Sequence, residues 1–336
     1  MRKIRIAQIG FNRNSHAMPV FMRLKRLECF EVAGYVLPEG EWEWLSDLQK
    51  SRLADCRQLT LEQVLNDPTI EAVTIETEEV NLTRYALMAA KAGKHIHMEK
   101  PGGIALADFE ELIAIMKKTG KVFHTGYMYR YNPLIRQTME QVKKGELGEI
   151  ISVEAQMNCP HTPEVRQWLE NFPGGMMFFL GCHLVDLVVQ LQGLPKRVIP
   201  LNKSTDTDGV TAEDFSMAVL EYDRGYSFVK TVACEKGGFR RRQLVITGTK
   251  KTVEMKPLEI VEGPSHHTIM TTYDTMDWHD PGETVDSGLF DRYAPMLEGF
   301  GKMVAGEQEN PWNYDYELDL YRLILQCCGR SSDVSK

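Results

Sequence analysis

Two kinds of hydrophobic pattern divide this chain. Up to about residue 125, short apolar runs alternate with stretches whose apolar residues recur every three or four positions. Ile4, Ile6 and Ile9 predict a first strand ending at Gly10, and Ala17, Val20, Phe21, Leu24 and Leu27 follow at helical spacing. Phe30 to Val36 reads as a second strand. Thr60 and Gln63 have the form of a capping box opening a helix that carries Leu61, Val64 and Leu65. Ala72 to Ile75 predicts a buried strand. Leu82, Tyr85, Ala86 and Ala89 line the next helix, which Gly93 stops. A short strand over residues 94–98 comes next, then a helix marked by Leu106, Phe109, Leu112, Ile113 and Met116, then a strand from Val122 to Gly126. Strict alternation of strand and helix predicts an α/β fold with a doubly wound (Rossmann) parallel sheet.

After about residue 148 the strand candidates lengthen and crowd together: Glu149 to Met157, Phe215 to Tyr222, Tyr226 to Cys234, Gln243 to Gly248 and Thr252 to Met255. Asp223-Arg224-Gly225 and Gly248-Thr249-Lys250 have hairpin turn chemistry. This half predicts an α+β domain with a mostly antiparallel sheet. Gly263 to Asp286 is polar and reads as a loop, while Tyr293 to Val304 and Tyr316 to Cys328 read as closing helices. A length of 336 residues suits two domains, placed here at 1–125 and 126–336.

Composition excludes more than it selects. With 43% hydrophobic and 26% charged residues the chain reads as an ordinary soluble globular protein. A net charge of -8 argues against nucleic acid, and the one basic triplet, Arg240-Arg241-Arg242, reads as the solvated start of a strand. No apolar run approaches a membrane span, since His183, Asp186 and Gln190 interrupt the nearest one. The seven cysteines are odd in number and scattered, which suits a reducing cytoplasm rather than a disulfide framework. His266-His267 with His279-Asp280 could suggest a metal, but neighbouring histidines point apart on a strand, and no metal is expected.

Three segments carry candidate chemistry. Lys94-His95-Ile96-His97-Met98-Glu99-Lys100-Pro101 reads as a buried strand that delivers Glu99 and Lys100 to the carboxyl end of a parallel sheet, where ligands bind. An amine there can donate to a substrate hydroxyl, or lose its proton if desolvated; equally, the two residues can form a plain surface ion pair. Gly10-Phe11-Asn12-Arg13-Asn14-Ser15 occupies the place of a Gly-x-Gly-x-x-Gly fingerprint but keeps only its first glycine. Asn12 tolerates a left-handed backbone, Ser15 is small enough for close packing, and Asn14 or Ser15 could cap the following helix. Third, the segment from Pro173-Gly174-Gly175 to Asp186 predicts a nearly all-apolar helix on which His183, Asp186 and Gln190 form one polar stripe. A buried stripe needs polar partners. His183 bonded to Asp186 across one turn is the plainer explanation.

Together these motifs resemble the glucose–fructose oxidoreductase/inositol dehydrogenase family (Gfo/Idh/MocA), over nearly the whole chain. The resemblance implies an NAD(P)-dependent oxidoreductase that moves a hydride between nicotinamide and a secondary alcohol of a sugar, cyclitol or related polyol. It implies that Lys100 lies near the nicotinamide and the reacting hydroxyl. His183 would be general acid/base, for which an imidazole is suited, and Asp186 would hold substrate hydroxyls. Gly10, Phe11, Asn12, Arg13, Ser15, Thr77, Glu99 and Lys100 would line the cofactor. Tyr129 and Arg130, in a segment like the family's strand-to-helix connection, would bind substrate with Asn158, His161, Arg166 and Trp168.

The chain also departs from the family. Phe179 stands where many members carry an aspartate one turn before the histidine, and Leu37 stands where an acid grips the adenosine ribose. Glu39 could substitute for that acid, or Arg13 could favour a 2′-phosphate; the acids Glu39, Glu41 and Glu43 point to NAD(H) rather than NADP(H). Glu76, Glu78 and Glu79 would repel a pyrophosphate unless they turn away or pair with Arg13. These departures keep open a non-catalytic sugar- or nucleotide-binding sensor or regulatory subunit, and the resemblance itself leaves open NAD-assisted sugar elimination or glycoside cleavage. A cytoplasmic homodimer or homotetramer is expected, joined through the uncovered face of the second sheet.

Overall fold

The computed structural model describes residues 2–38 and 40–330. They form two compact units: the chain up to Tyr127 together with Tyr293–Tyr321, and Met128–Arg292 together with the stretch from Arg322.

The first unit alternates β1 (Ile4–Ile9), α1 (Ala17–Leu24), β2 (Phe30–Val36), α2 (Glu41–Trp44), α3 (Asp47–Leu53), α4 (Leu61–Asn66), β3 (Ala72–Ile75), α5 (Leu82–Lys91), β4 (His95–Met98), α6 (Leu106–Thr119) and β5 (Phe123–Thr125). The strands form one parallel sheet in the order β2-β1-β3-β4-β5. Ile6 faces Ala72 and Ile75 faces Met98 in register. The chain runs outward from β1 in both directions, so the switch point lies at the carboxyl ends of β1 and β3, where a doubly wound sheet opens a ligand crevice. β3 is buried along its whole length, as expected of a strand covered on both faces. Thr60 and Gln63 make the expected capping box, and Ser46 and Gln49 make a second.

The sequence pattern gave no hint that Tyr293–Tyr321 rejoins this unit rather than the second, and the contacts explain the return. Phe300 stacks on His124 at 5.8 Å and on Phe30 at 6.4 Å. Tyr321 stacks on Phe109 at 4.1 Å and donates its hydroxyl to the Gly103 carbonyl. Thr125 donates to Glu317 at 2.8 Å. The helix Ala294–Val304 therefore packs the apolar surface of the first sheet.

The second unit contains α7 (Pro133–Lys143), β6 (Ile150–Gln156), α8 (Pro163–Trp168), α9 (Cys182–Gln192), β7 (Arg197–Pro200), β8 (Phe215–Glu221), β9 (Tyr226–Val232), β10 (Gln243–Gly248), β11 (Thr252–Met255), β12 (Ile260–Glu262), β13 (Ser265–His267), β14 (Ile269–Tyr273) and β15 (Glu283–Asp286). Eight strands form a mostly antiparallel sheet, β15-β14-β11-β10-β6-β9-β8-β7, in which β6 and β9 pair in parallel. Helix α9 packs on β6 and β9. Along β8, Ser216, Ala218 and Leu220 are buried while their neighbours are half-buried, the alternation of a sheet with one covered face. The expected loop from Gly263 to Asp286 is instead built around β13, β14 and β15. Its Thr residues pair across strands, as Thr271 and Thr284 do at 2.9 Å, and β-branched Thr fits a pleated surface.

Candidate active-site residues

In the first unit the β1–α1 loop turns at Gly10, whose φ of +93° brings the backbone so close to Thr77 that an added Cβ would lie 2.6 Å from the Thr77 amide nitrogen. Only glycine fits that approach. The expected cap is absent: α1 starts after His16, and neither Asn14 nor Ser15 caps it. Asn14 donates its amide to the Asn12 side chain at 2.8 Å. The Ser15 hydroxyl is buried and has no hydrogen-bond partner among the described residues.

The rest of the loop is held by the chain's own acids. The Phe11 amide donates to Glu41 at 2.7 Å, and the Asn12 side chain donates to Glu79 at 2.7 Å and to the Thr77 carbonyl at 3.2 Å. Arg13 grips Glu78 through Nε and a terminal nitrogen, both at 3.3 Å, and its guanidinium lies over the Trp44 ring. The anticipated repulsion at Glu78 is thus relieved by Arg13. Glu76 and Glu79 are fully buried. Burial lifts the Glu79 carboxyl to about 7, with Lys100 and the Asn12 bond pulling the other way. Burial and then Glu99 raise Glu76 well above the carboxylate range, against Lys100. Glu39 lies outside the described residues.

Strand β4 delivers Glu99 and Lys100 as expected, but both are buried rather than on the surface, with Lys100 Nζ 3.4 Å from Glu99. Below them His97 and His124 share a 2.7 Å Nδ1–Nδ1 hydrogen bond, and His97 Nε2 lies 3.9 Å from Glu76. Burial holds His97 down at about 3, so the ring is neutral at ordinary pH.

In the second unit the helix bearing the polar stripe begins with a wide π turn over Met177–Gly181 before α9. Such turns insert one residue into the helical repeat and recur at functional sites. His183 is 1% exposed and meets the Tyr129 ring edge-on at 5.2 Å. The carboxylate of Asp186 is gripped by Arg130, through Nε at 3.0 and 3.1 Å and a terminal nitrogen at 2.8 Å, and accepts from Gln190 at 2.8 Å. Both charged groups are fully buried, and the fork geometry satisfies them. Tyr129 donates to Glu259 at 2.8 Å, and Arg242 and Arg292 each reach the phenol oxygen at 3.1 Å. Burial, then Glu259, raises the Tyr129 pKa. Burial alone would raise Glu259, but Arg292, Arg242 and the Tyr129 bond outweigh it and hold the carboxyl low.

The remaining expected substrate residues separate. His161 and Trp168 surround Phe179, at 6.2 and 5.2 Å between rings, and burial lowers the His161 pKa. Asn158 is bonded to Glu235 at 2.6 Å and to the Val232 amide at 3.0 Å. Arg166 is buried against Asp214 and Asp208. These last two brace the unit's own loops. His267 bonds Asp286 at 2.9 Å on the rim of the sheet.

Sequence reasoning missed Glu259, Arg292, the burial of Arg242 and the bond that ties Glu41 to the Phe11 amide. Arg242 is not the solvated residue expected of a basic triplet: it is 5% exposed and paired with Glu259 at 2.6 Å. Long-range acid–base pairs leave no local periodicity, so no signal in the chain could have announced them.

Two family models match the chain, one described as an oxidoreductase family with an NAD-binding Rossmann fold over residues 6–127 and one as a GFO/IDH/MocA C-terminal domain over residues 135–254. An uncharacterised oxidoreductase of Escherichia coli, YhhX, is 32% identical over 142 residues, which is 41% of this chain and 40% of that protein. The 1,5-anhydro-D-fructose reductase of Ensifer adhaerens is 24% identical over 271 residues, 76% and 77% of the two chains. In fold, the chain is similar to KijD10, a 3-ketoreductase from Actinomadura kijaniata solved with NADP and TDP-benzene: TM-score 0.78, 17% identity, covering 96% of each chain. The matching family model and the five-stranded parallel sheet define an oxidoreductase built on a dinucleotide-binding fold. The chain belongs to the Gfo/Idh/MocA family, whose members are NAD(P)-dependent dehydrogenases and reductases. A dinucleotide at this loop would meet the Ser15 hydroxyl, which is buried and has no hydrogen-bond partner among the described residues. No helix among the described residues is long and apolar enough to cross a membrane.

Proposed function

We propose that this protein is an NAD(H)-dependent dehydrogenase or reductase acting on a secondary alcohol of a sugar, cyclitol or related polyol. One observation carries the reading: an otherwise apolar helix buries His183 beside a satisfied Asp186–Arg130 pair and the bracketed Tyr129. A buried polar island adds little to stability over well-packed apolar residues, which favours a role in recognition or chemistry. The cofactor would supply the hydride acceptor or donor. In this reading His183 moves the proton of the reacting hydroxyl, and Lys100 donates to the oxygen that becomes a carbonyl. Asp186 acts through Arg130 and Gln190 as much as directly, since all three already share one bonded group.

One further feature favours NAD(H) over NADP(H): Arg13, which a 2′-phosphate would call on, is committed to Glu78. Phe179 and a loop filled with acids favour a second reading, a ligand-binding subunit without turnover.

A panel of polyols and sugars tested with NAD and NADP, following nicotinamide absorbance, separates the two. Turnover with NAD, lowered roughly 10²-fold or more in His183→Ala with cofactor affinity kept, is the expected result. Full rate in His183→Ala would overturn the assigned role, and turnover with NADP alone would overturn the cofactor choice.

A further inference from the structure

The donors that a dinucleotide pyrophosphate would draw on at the β1–α1 loop are already engaged by acceptors of the chain. Phe11 N–H goes to Glu41 at 2.7 Å, Asn12 N–H to the Glu76 carbonyl at 2.8 Å, and Arg13 N–H to Glu78 at 3.4 Å. The Asn12 side chain is held by Glu79. Two of these acceptors, Glu41 and Glu79, are 2% and 0% exposed, so water cannot soften their charge.

The surroundings are short of positive charge. Facing these acids are Glu76, Glu78 and Glu99, against Arg13, which is bound to Glu78, and Lys100, which lies 3.4 Å from Glu99. His97, 3.9 Å from Glu76, is neutral. A pyrophosphate diester keeps its negative charge at any pH near neutrality. Above about pH 8, where Glu41 and Glu79 are largely ionised, bringing it to the loop sets it against buried carboxylates, and a protonated carboxyl removes one such repulsion while offering an O–H donor.

We propose that the first unit takes up protons from solvent when it binds its dinucleotide, and that Glu41 and Glu79 are the groups that receive them. Each carboxylate plus one proton gives one neutral carboxylic acid, with no other bond made or broken. The inference rests on the dinucleotide-binding reading of this loop. It goes beyond that reading by assigning two residues that set the pH dependence of affinity. Burial already holds Glu41 at about 8 and Glu79 at about 7, close enough to neutrality for a nearby anion to complete their protonation.

Isothermal titration calorimetry of the full chain with NAD, NADH, NADP and NADPH tests this. Titrations at about pH 8.5 in buffers of different ionisation enthalpy read the protons exchanged per ligand bound. The expected result is a net uptake approaching one proton or more, with affinity tightening up to about tenfold for each pH unit lowered through that range. Glu41→Gln and Glu79→Gln, which keep an acceptor oxygen for Phe11 and Asn12, should each reduce the uptake, and the double variant should abolish it. Binding heat that does not vary with buffer, or uptake retained in a folded double variant, would overturn the inference while leaving the dinucleotide reading intact. No binding of any of the four nucleotides from about pH 5 to 9 would overturn both.

Discussion

Glu41 has one oxygen on the Phe11 amide and almost no water, and burial carries its carboxyl from the ordinary 4.5 to about 8. Between those values the folded chain holds a proton that the unfolded chain has released. Stability tied to this group is therefore complete below about pH 4.5 and is lost as pH rises through about 8. The amplitude is on the order of a few kcal/mol. Glu79, lifted to about 7, adds a slope of the same sign over a narrower window. Thermal unfolding midpoints should fall from about pH 5 to pH 8 in the wild type and fall less steeply in Glu41→Gln, because glutamine does not titrate. An equal slope in the two proteins would mean that Glu41 is ionised throughout.

Among elements, α9 and the turn before α7 depend on one another through the Arg130–Asp186 pair, buried at both ends. Removing one partner of such a pair leaves an uncompensated charge in the interior and costs about 3–5 kcal/mol. Arg130→Ala should lower the midpoint of thermal unfolding markedly, whereas replacing Arg130 with Met and Asp186 with Leu together should recover much of the loss. Failure of the single variant to destabilise would show that water reaches Asp186. The same helix shows what a sequence can disclose. Its apolar run and polar stripe were legible, as were β2, β3, β10 and β11 with their observed bounds, because period-two runs and turn residues are local signals. The π turn over Met177–Gly181 was not, since it leaves composition unchanged and appears only as a change of backbone pitch. Nor was the strand character of Gly263 to Asp286, where Thr and Asp read as loop residues until a neighbouring strand supplies their ladder. Among the candidate residues, Gly10 and Lys100 were legible as strand-end positions and His183 as part of an apolar helix, but Arg130 as the partner of Asp186 lies 56 residues away from it in the chain.

For the whole molecule, the second sheet covers one face with α9 and leaves half-buried Phe215, Met217 and Val219 along the other side of β8. An apolar face of that kind seeks a partner, and a dimer or tetramer through it is the expected assembly. Analytical ultracentrifugation at micromolar concentration should find an oligomer, and Met217→Lys should shift it toward monomer; a monomeric wild type would refute this arrangement.

The return of Tyr293–Tyr321 to the first unit has a consequence for how the chain is made. The surface on Phe30, His124 and Phe109 that Phe300 and Tyr321 cover stays open until the intervening segment has been translated. At ordinary elongation rates that interval is on the order of ten seconds or more. During it the nascent dinucleotide-binding sheet carries an uncovered apolar flank, so the ribosome-bound intermediate, rather than the finished protein, is the form most in need of a chaperone.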